Sequence, residues 1–179
     1  MTYEIVLAGF GGQGVLFAGK VIAYAGLVDG KEVSWLPSYG PEMRGGTANC
    51  SVCVSDEPIG SPLILEPAIL MALNTPSFEK FIDTVPAGGK VFVDSSMVDV
   101  TTDRTDIDVF YVPATELTST DPQLKGGANI ILTGKLLAET GMFTVDTIKK
   151  AFEKIVPAKK AHLIENNLKA IKIGMEYNG

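Results

Sequence analysis

The sequence has 179 residues, of which 46% are hydrophobic and 20% are charged, and its formal net charge is −6. That length and composition suit one globular domain with a full hydrophobic core, and the acidic balance argues against sequence-independent binding to nucleic acid. No apolar run in the sequence approaches the roughly 20 residues that span a bilayer, and the N-terminus carries no signal-peptide pattern. We therefore expect a cytoplasmic protein with neither a membrane nor a nucleic acid as partner.

Strands and helices are predicted to alternate over the first two thirds of the chain. The predicted strands cover residues 3–9, 32–36, 47–55, 68–73, 91–94 and 108–113. The predicted helices cover residues 14–27, 78–85, 128–140, 144–155 and 159–177, with one or two helical turns within 114–120. We expect Thr75 to cap the second helix, with Pro76 at its first position.

This alternation predicts an α/β fold with a three-layer, Rossmann-like and mostly parallel sheet, formed by a single domain over residues 1–179. The second and third strands are joined by only about ten residues, and a parallel crossover needs a dozen or more. We therefore expect the third strand to be antiparallel and to lie at or near an edge of the sheet. The C-terminal third of the chain is predicted to be helical.

A glycine-rich turn follows the first strand. Gly9, Gly11 and Gly14 have the G-x-G-x-x-G spacing between a strand and a helix, which suits either a tight turn or a phosphate held at a helix N-terminus. A nicotinamide site also needs an acidic residue about 20 positions further on, at the end of the second strand. That end reads Trp35-Leu36-Pro37, and Glu32 lies at the other end of the strand. A stand-alone nucleotide-binding protein is therefore the less favoured alternative.

A second unusual loop follows the second strand, where prolines and glycines surround Tyr39, Glu42 and Arg44. It could be a surface turn with a solvated ion pair of little energetic value. However, ligands of open parallel sheets collect outside the carboxyl ends of the strands, and both special loops are predicted at that edge. Gln13, whose amide both donates and accepts hydrogen bonds, suits a partner peptide or a ligand there. The candidate interface or ligand-binding residues are Gly9, Gly11, Gly12, Gln13, Gly14, Tyr39, Gly40, Glu42, Arg44 and Gly45.

The remaining reactive side chains indicate no catalytic centre. Cys50 and Cys53 lie three positions apart on a strand, so they should face opposite sides of the sheet and act as small core residues. They are also too few for an iron–sulfur cluster, which takes about four thiolates. His162, the only histidine, is interpreted as a surface or helix-packing residue. We expect no metal site and no self-sufficient catalytic apparatus in this chain.

Two motifs together carry a family resemblance. The segment Ala8-Gly9-Phe10-Gly11-Gly12-Gln13-Gly14-Val15, followed by Ser38-Tyr39-Gly40-Pro41-Glu42-Met43-Arg44-Gly45-Gly46, resembles the gamma subunit of 2-oxoacid:ferredoxin (acceptor) oxidoreductases. The resemblance covers essentially the whole chain and includes Gly127-Ala128-Asn129. The forms of the two motifs are more similar to 2-oxoglutarate-type or branched-chain-type subunits than to pyruvate-type ones.

The resemblance implies a subunit of an oxidoreductase that acts on oxo groups. The holoenzyme of that family converts a 2-oxoacid, coenzyme A and oxidised ferredoxin into an acyl-CoA, CO2 and reduced ferredoxin. Thiamine diphosphate and magnesium are bound between alpha and beta subunits, and the iron–sulfur clusters lie on beta or delta subunits. The gamma subunit would pack against the catalytic subunits and support assembly, with a possible contact to coenzyme A.

Overall fold

The computed structural model describes residues 1–38 and 47–179 of the chain. Their strands form one six-stranded sheet in the order β2-β3-β1-β4-β5-β6. The strands are β1 Thr2–Phe10, β2 Glu32–Ser38, β3 Thr47–Ser55, β4 Ile69–Ala72, β5 Lys90–Asp94 and β6 Asp108–Val112. All six predicted strands are present, with ends shifted by at most two residues.

Most neighbouring strands are parallel, and β3 is the exception. β1, β4, β5 and β6 pair in parallel in that order, whereas β3 is antiparallel to both β1 and β2. The prediction of one antiparallel strand near an edge is therefore confirmed, with β2 forming the edge itself. The physical reason is that β2 ends at Ser38 and β3 begins at Thr47, a connection shorter than the dozen or more residues that a parallel crossover needs.

Helices cover both faces of the sheet, which confirms the three-layer prediction. They are α1 Val15–Val28, α2 Thr75–Phe81, α3 Ala114–Ser119, α4 Ala128–Thr140, α5 Val145–Ile155 and α6 His162–Glu176. The side of the sheet that carries Ile5 and Leu7 packs against α1 and the C-terminal helices, and we call it the α1 face. The side that carries Val6 packs against Phe78 of α2, and we call it the α2 face.

Two helix starts differ from the sequence prediction. α2 begins at Thr75 and is capped by Asn74, whose side chain accepts a hydrogen bond from the Ser77 backbone N–H at 2.9 Å. The predicted cap at Thr75, with Pro76 at the first helical position, is therefore wrong by one residue, because the Asn74 oxygen reaches the third N–H of the helix. The last helix begins at His162, after a separate 3-10 turn at Ala158–Lys160.

The C-terminal third is helical, as predicted, and two glycines hold α4 and α6 close together. A Cβ atom at Gly134 would collide with the Ile171 backbone oxygen, and one at Gly174 would collide with the Ile131 backbone oxygen. The two helix backbones are thus in direct contact over the α1 face. No helix within the described ranges is long and apolar enough to cross a membrane.

Candidate functional site

The turn between β1 and α1 requires glycine at two of its positions. Gly12 has a φ of 94° and Gly14 a φ of 75°, a region that other residues adopt only with strain. Gly14 is the N-cap of α1, and the Gln13 backbone N–H donates to the Phe10 carbonyl at 3.2 Å. The spacing of the glycines therefore produces a tight turn that leaves Gly11 and Gly12 exposed.

Hydrogen bonds of the Gln13 side chain hold this turn in place. Its Oε1 accepts a hydrogen bond from the Phe10 N–H at 2.6 Å, and its Nε2 donates to the Leu73 carbonyl at 2.9 Å. Gly9 leaves the necessary room, because a Cβ there would lie 2.7 Å from Gln13 Oε1. Since Leu73 directly follows β4, one side chain joins the carboxyl ends of β1 and β4. The sequence indicated that the Gln13 amide bonds in both directions, and it missed that these bonds are internal.

Asn129, the second residue of α4, connects that helix to the same turn. Its Nδ2 donates to the Gly14 carbonyl at 2.8 Å, and a Cβ atom at Gly14 would collide with this amide. Asn129 is 3% exposed, and its Oδ1 has no hydrogen-bond partner within the described part of the chain. The N-termini of α1 and α4 are therefore fixed against each other. The sequence offered two signals for Asn129, its place in the Gly127-Ala128-Asn129 segment of the family resemblance and its polarity among the apolar residues that open α4.

A crevice of about 260 Å³ opens beside the turn. It is lined by Gly12 and Gln13 of the turn after β1, by Leu73 just after β4, and by Thr115 and Ala128 at the starts of α3 and α4. The chain leaves β1 toward β2 and leaves β4 toward β5, so the strand order reverses between these two neighbours. Such a switch point is where open α/β sheets bind ligands. Its position agrees with the edge of the sheet that the sequence indicated.

A buried carboxylate positions one wall of this crevice. Asp94, at the end of β5, is fully buried and accepts hydrogen bonds from the Thr115 backbone N–H at 3.2 Å and from Thr115 Oγ1 at 2.6 Å. It also accepts from the Ser96 N–H at 3.1 Å. These bonds satisfy the carboxylate and hold Thr115 in place. Asp94 was not among the predicted site residues, although an aspartate at the end of a buried apolar strand is a recognisable sequence signal.

The second predicted loop contributes only its ends to the described structure. Tyr39, Gly40, Glu42, Arg44 and Gly45 lie outside the described residues, so their assignment to the site stays a prediction. Ser38 at the end of β2 pairs with Asn49, and Thr47 at the start of β3 pairs with Phe10. Both ends of the loop therefore lie at the same edge of the sheet as the glycine turn.

The two cysteines face opposite sides of the sheet, as predicted. Cys50 belongs to the core on the α1 face and Cys53 to the core on the α2 face, and both are free thiols. Burial raises the pKa of the Cys50 thiol to about 12, and burial followed by the nearby Glu4 carboxylate raises the pKa of Cys53. Two protonated thiols on opposite faces do not fit a shared iron–sulfur cluster.

The other candidate ligands are dispersed. His162 is exposed at the first position of α6, as the sequence indicated. Among residues 1–38 and 47–179, no three His, Cys, Asp or Glu side chains are grouped so that they could hold a metal ion.

Comparison with known proteins gives one consistent family. Residues 4–177 match the family model described as pyruvate ferredoxin/flavodoxin oxidoreductase. The chain is 37% identical to the 2-oxoglutarate synthase subunit KorC of Methanocaldococcus jannaschii, over 98% of this chain and 94% of that protein. The crystal structure of a keto/oxoacid ferredoxin oxidoreductase gamma subunit from Geobacter sulfurreducens superposes with a TM-score of 0.82 at 31% identity, covering 97% of this chain and 96% of the other.

A third relative contains the same domain within a longer chain. The ketoisovalerate oxidoreductase subunit VorA of Methanothermobacter thermautotrophicus is 36% identical over 97% of this chain, but the match covers only 36% of VorA. In VorA the domain is therefore covalently joined to further sequence. These relatives support an oxidoreductase subunit and not a stand-alone nucleotide-binding protein.

Proposed function

We propose a role for this chain from the premise that it belongs to the pyruvate ferredoxin/flavodoxin oxidoreductase family. The chain is a gamma-type subunit of a 2-oxoacid:ferredoxin oxidoreductase, and it supports assembly rather than catalysing the reaction alone. The holoenzyme converts a 2-oxoacid, coenzyme A and oxidised ferredoxin into an acyl-CoA, CO2 and reduced ferredoxin. One observation carries this proposal: the match extends over nearly the full length of both this chain and gamma-type relatives. The enzyme works in the cytoplasm.

The cofactors of the reaction belong to the partner subunits. Thiamine diphosphate with magnesium would supply the carbanion chemistry, and iron–sulfur clusters would carry the electrons to ferredoxin. The donor set of this chain supports that division, because Cys50 and Cys53 face opposite sides of the sheet. This chain would contribute a rigid surface for the partner subunits and a place for a phosphate group.

The edge that carries the glycine turn is the first candidate for the contact with the catalytic subunits. Gly11 and Gly12 expose their backbone there, and the Phe10 side chain is 38% exposed. The internal hydrogen bonds of Gln13 hold the turn in one shape, so little conformational entropy is lost when a partner binds. Arg44 and Glu42 of the neighbouring loop would add charge-assisted hydrogen bonds across the contact.

Reconstitution tests this role. The purified chain alone should oxidise no 2-oxoacid, whereas the chain combined with its catalytic subunits should give coenzyme A-dependent oxidation. A substrate panel of 2-oxoglutarate, 2-oxoisovalerate and pyruvate then identifies the 2-oxoacid, and we expect 2-oxoglutarate to give the highest kcat/KM. Turnover by the isolated chain would contradict the subunit role.

A second proposal concerns coenzyme A. The crevice beside the turn lies at the N-terminus of α1, where free backbone N–H groups and the helix dipole favour a phosphate. Its volume of about 260 Å³ is below the roughly 300 Å³ of pockets that enclose a whole drug-sized ligand, so it suits one group of a larger molecule. Arg44 would provide the opposite charge.

Calorimetry of the assembled complex separates this role from docking alone. Coenzyme A should bind the wild-type complex and bind at least tenfold more weakly after Arg44→Ala, because a guanidinium that faces a phosphate is removed. Equal affinity in both complexes would assign the coenzyme A site to the partner subunits and leave the docking role intact.

A further inference from the structure

We propose that the α2 face of β2 and β3 is an interface that receives a helix from a catalytic subunit, with an apolar stripe and flanking lysine or arginine residues. We call this area the open sheet face and define it by Glu4, Glu32, Ser34, Leu36 and Ser51. The inference rests on the proposed function, since it names which part of the chain meets the partner.

The two faces of β2 and β3 are covered very differently. On the α1 face, helix α1 packs against both strands, and Cys50 and Val52 are fully buried there. On the other face, α2 makes its main sheet contacts with β1 and β4, and the segment before β4 covers part of the face, since Ile59 and Ile64 pack in one cluster with Cys53. This end of the sheet therefore has a helix on its α1 face, whereas on its α2 face Glu4, Glu32 and Leu36 stay exposed.

The uncovered surface is apolar at its centre. Leu36 is 41% exposed and lies in one row of the sheet with Ser51 and Val6. Leu63 and Leu65 are 59% and 74% exposed, and Ile64 between them is buried in the same core cluster as Val6 and Cys53. Leu36 on the sheet, and Leu63 and Leu65 on either side of a residue that packs on the same face, are large exposed apolar side chains of the kind that mark a surface covered by another protein.

A short side chain beside Leu36 sets the kind of element that fits. Ser51 lies next to Leu36 in the same row and is half-buried, whereas Cys53 in the next row is already buried. A short side chain at Ser51 lets a helix backbone approach the sheet closely, while Leu36 fills a groove of that helix. The surface also continues to Phe10 and so to the glycine turn, so that one partner can cover both.

The charges on this surface decide between a second copy and a different chain. Glu4 and Glu32 are exposed on the same face, and neither forms an ion pair with a residue of the described ranges. In a two-fold symmetric pair the same patch meets itself, which would bring these carboxylates together with unfavourable like-charge contacts. A different chain with cations beside its apolar stripe is complementary.

Co-purification with matched variants tests the interface. Leu36→Asp adds a carboxylate at the centre of the open sheet face, and Leu27→Asp makes the same change at the exposed end of α1 (Leu27 is 55% exposed). The tagged chain is co-expressed with the catalytic subunits, and the amount that it retains is measured. We expect at least a tenfold loss for Leu36→Asp and none for Leu27→Asp, with unchanged circular dichroism of both variants.

Charge reversal and crosslinking identify the partner's chemistry. The double variant Glu4→Lys, Glu32→Lys should weaken retention and remove most of its salt dependence, whereas Glu153→Lys on α5 should do neither. A photoreactive benzoylphenylalanine at position 36 should crosslink to a catalytic subunit.

The outcomes separate this inference from the proposed function. If the wild-type chain retains the catalytic subunits and Leu36→Asp retains them equally well, or if position 36 crosslinks to a second copy of this chain, the interface is refuted while the subunit role stands. If the wild-type chain retains no catalytic subunit at all, the proposed function fails and the interface fails with it.

Discussion

Glycine has different surroundings between α4 and α6 and in the turn after β1. At Gly134 and Gly174 the approaching atoms belong to the neighbouring helix of the same chain. At Gly12 a Cβ atom would meet nothing within 4 Å, and the residue is exposed. The contact between α4 and α6 forms when the chain folds. The glycine turn instead leaves a rigid backbone edge exposed, and we infer that another subunit contacts this edge.

A side chain inserted between α4 and α6 should destabilise the fold without altering the proposed assembly surface. Gly174→Ala places a Cβ against the Ile131 backbone oxygen, so the helices must separate. Since overpacking typically costs ~1–3 kcal/mol and backbone cannot yield as a side chain does, we expect about 3 kcal/mol. This corresponds to roughly 6–12 °C in Tm, measured by thermal unfolding. Gly60→Ala, at a site with open space and no positive φ, is the control and should change Tm by less than about 2 °C.

Removing the Gln13 side chain from the glycine turn should lower both the stability of the fold and the retention of the catalytic subunits. Gln13→Ala removes the acceptor of the Phe10 N–H and the donor to the Leu73 carbonyl. Loss of these two hydrogen bonds, and of the one that Asn74 Nδ2 donates to Gln13 Oε1 at 3.3 Å, should lower the free energy of unfolding by roughly 1–3 kcal/mol. It should also reduce retention of the catalytic subunits, because the turn is no longer held in one shape. Gln123→Ala, at an exposed position, is the control and should leave both quantities unchanged. Normal assembly by Gln13→Ala would show that assembly does not depend on the rigidity of the turn.

Alanine variants of two glycines with similar backbone strain separate effects on stability from effects on recognition by the partner. Gly12 and Gly30 both have positive φ, at 94° and 70°, and a Cβ at either site meets nothing within 4 Å. Alanine at each should therefore cost a similar ~1 kcal/mol. Only Gly12→Ala should lower retention of the catalytic subunits, by at least tenfold, because only Gly12 lies at the proposed contact. Equal retention by the two variants would remove the glycine turn from the interface.

A substitution of Asp56, at the end of β1 opposite the glycine turn, should have the smallest effect and leave the turn unchanged. Hydrogen bonds from Lys31 and then from the N-terminal ammonium lower the pKa of Asp56 to about 2, from an ordinary 3.8. A lowered folded-state pKa means that this contribution is complete above about pH 4 and is lost as the pH falls through about 2. Asp56→Asn should remove that part of the acid dependence of unfolding in urea and leave assembly unchanged. Asp103→Asn, at an exposed carboxylate, is the control and should leave the acid dependence of unfolding unchanged.

Local patterns were enough to predict most of the fold. The period of two along β3 placed Cys50 and Cys53 on opposite faces, and the short connection before β3 predicted its antiparallel direction. The cap of α2 was wrong because Asn74, Thr75 and Pro76 are adjacent and each suits a helix start. Local chemistry could not choose among them without the geometry of the turn.

The construction of the candidate site depends on long-range contacts that no local pattern contains. Asn129 bonds to Gly14 across 115 positions, and Gln13 bonds to the Leu73 carbonyl across 60 positions. The sequence could place Gln13 at the edge of the sheet but could not show that its amide is used internally. The open sheet face was equally hidden, because it follows from which strands α2 leaves uncovered.

Affinity purification of the tagged chain from its native host, with mass spectrometry of what is retained, tests the subunit role most directly. The chain should co-purify in fixed stoichiometry with subunits that carry thiamine diphosphate and iron–sulfur clusters, and the complex should oxidise a 2-oxoacid in the presence of coenzyme A. Recovery of the chain without such subunits, or 2-oxoacid oxidation by the chain on its own, would contradict it.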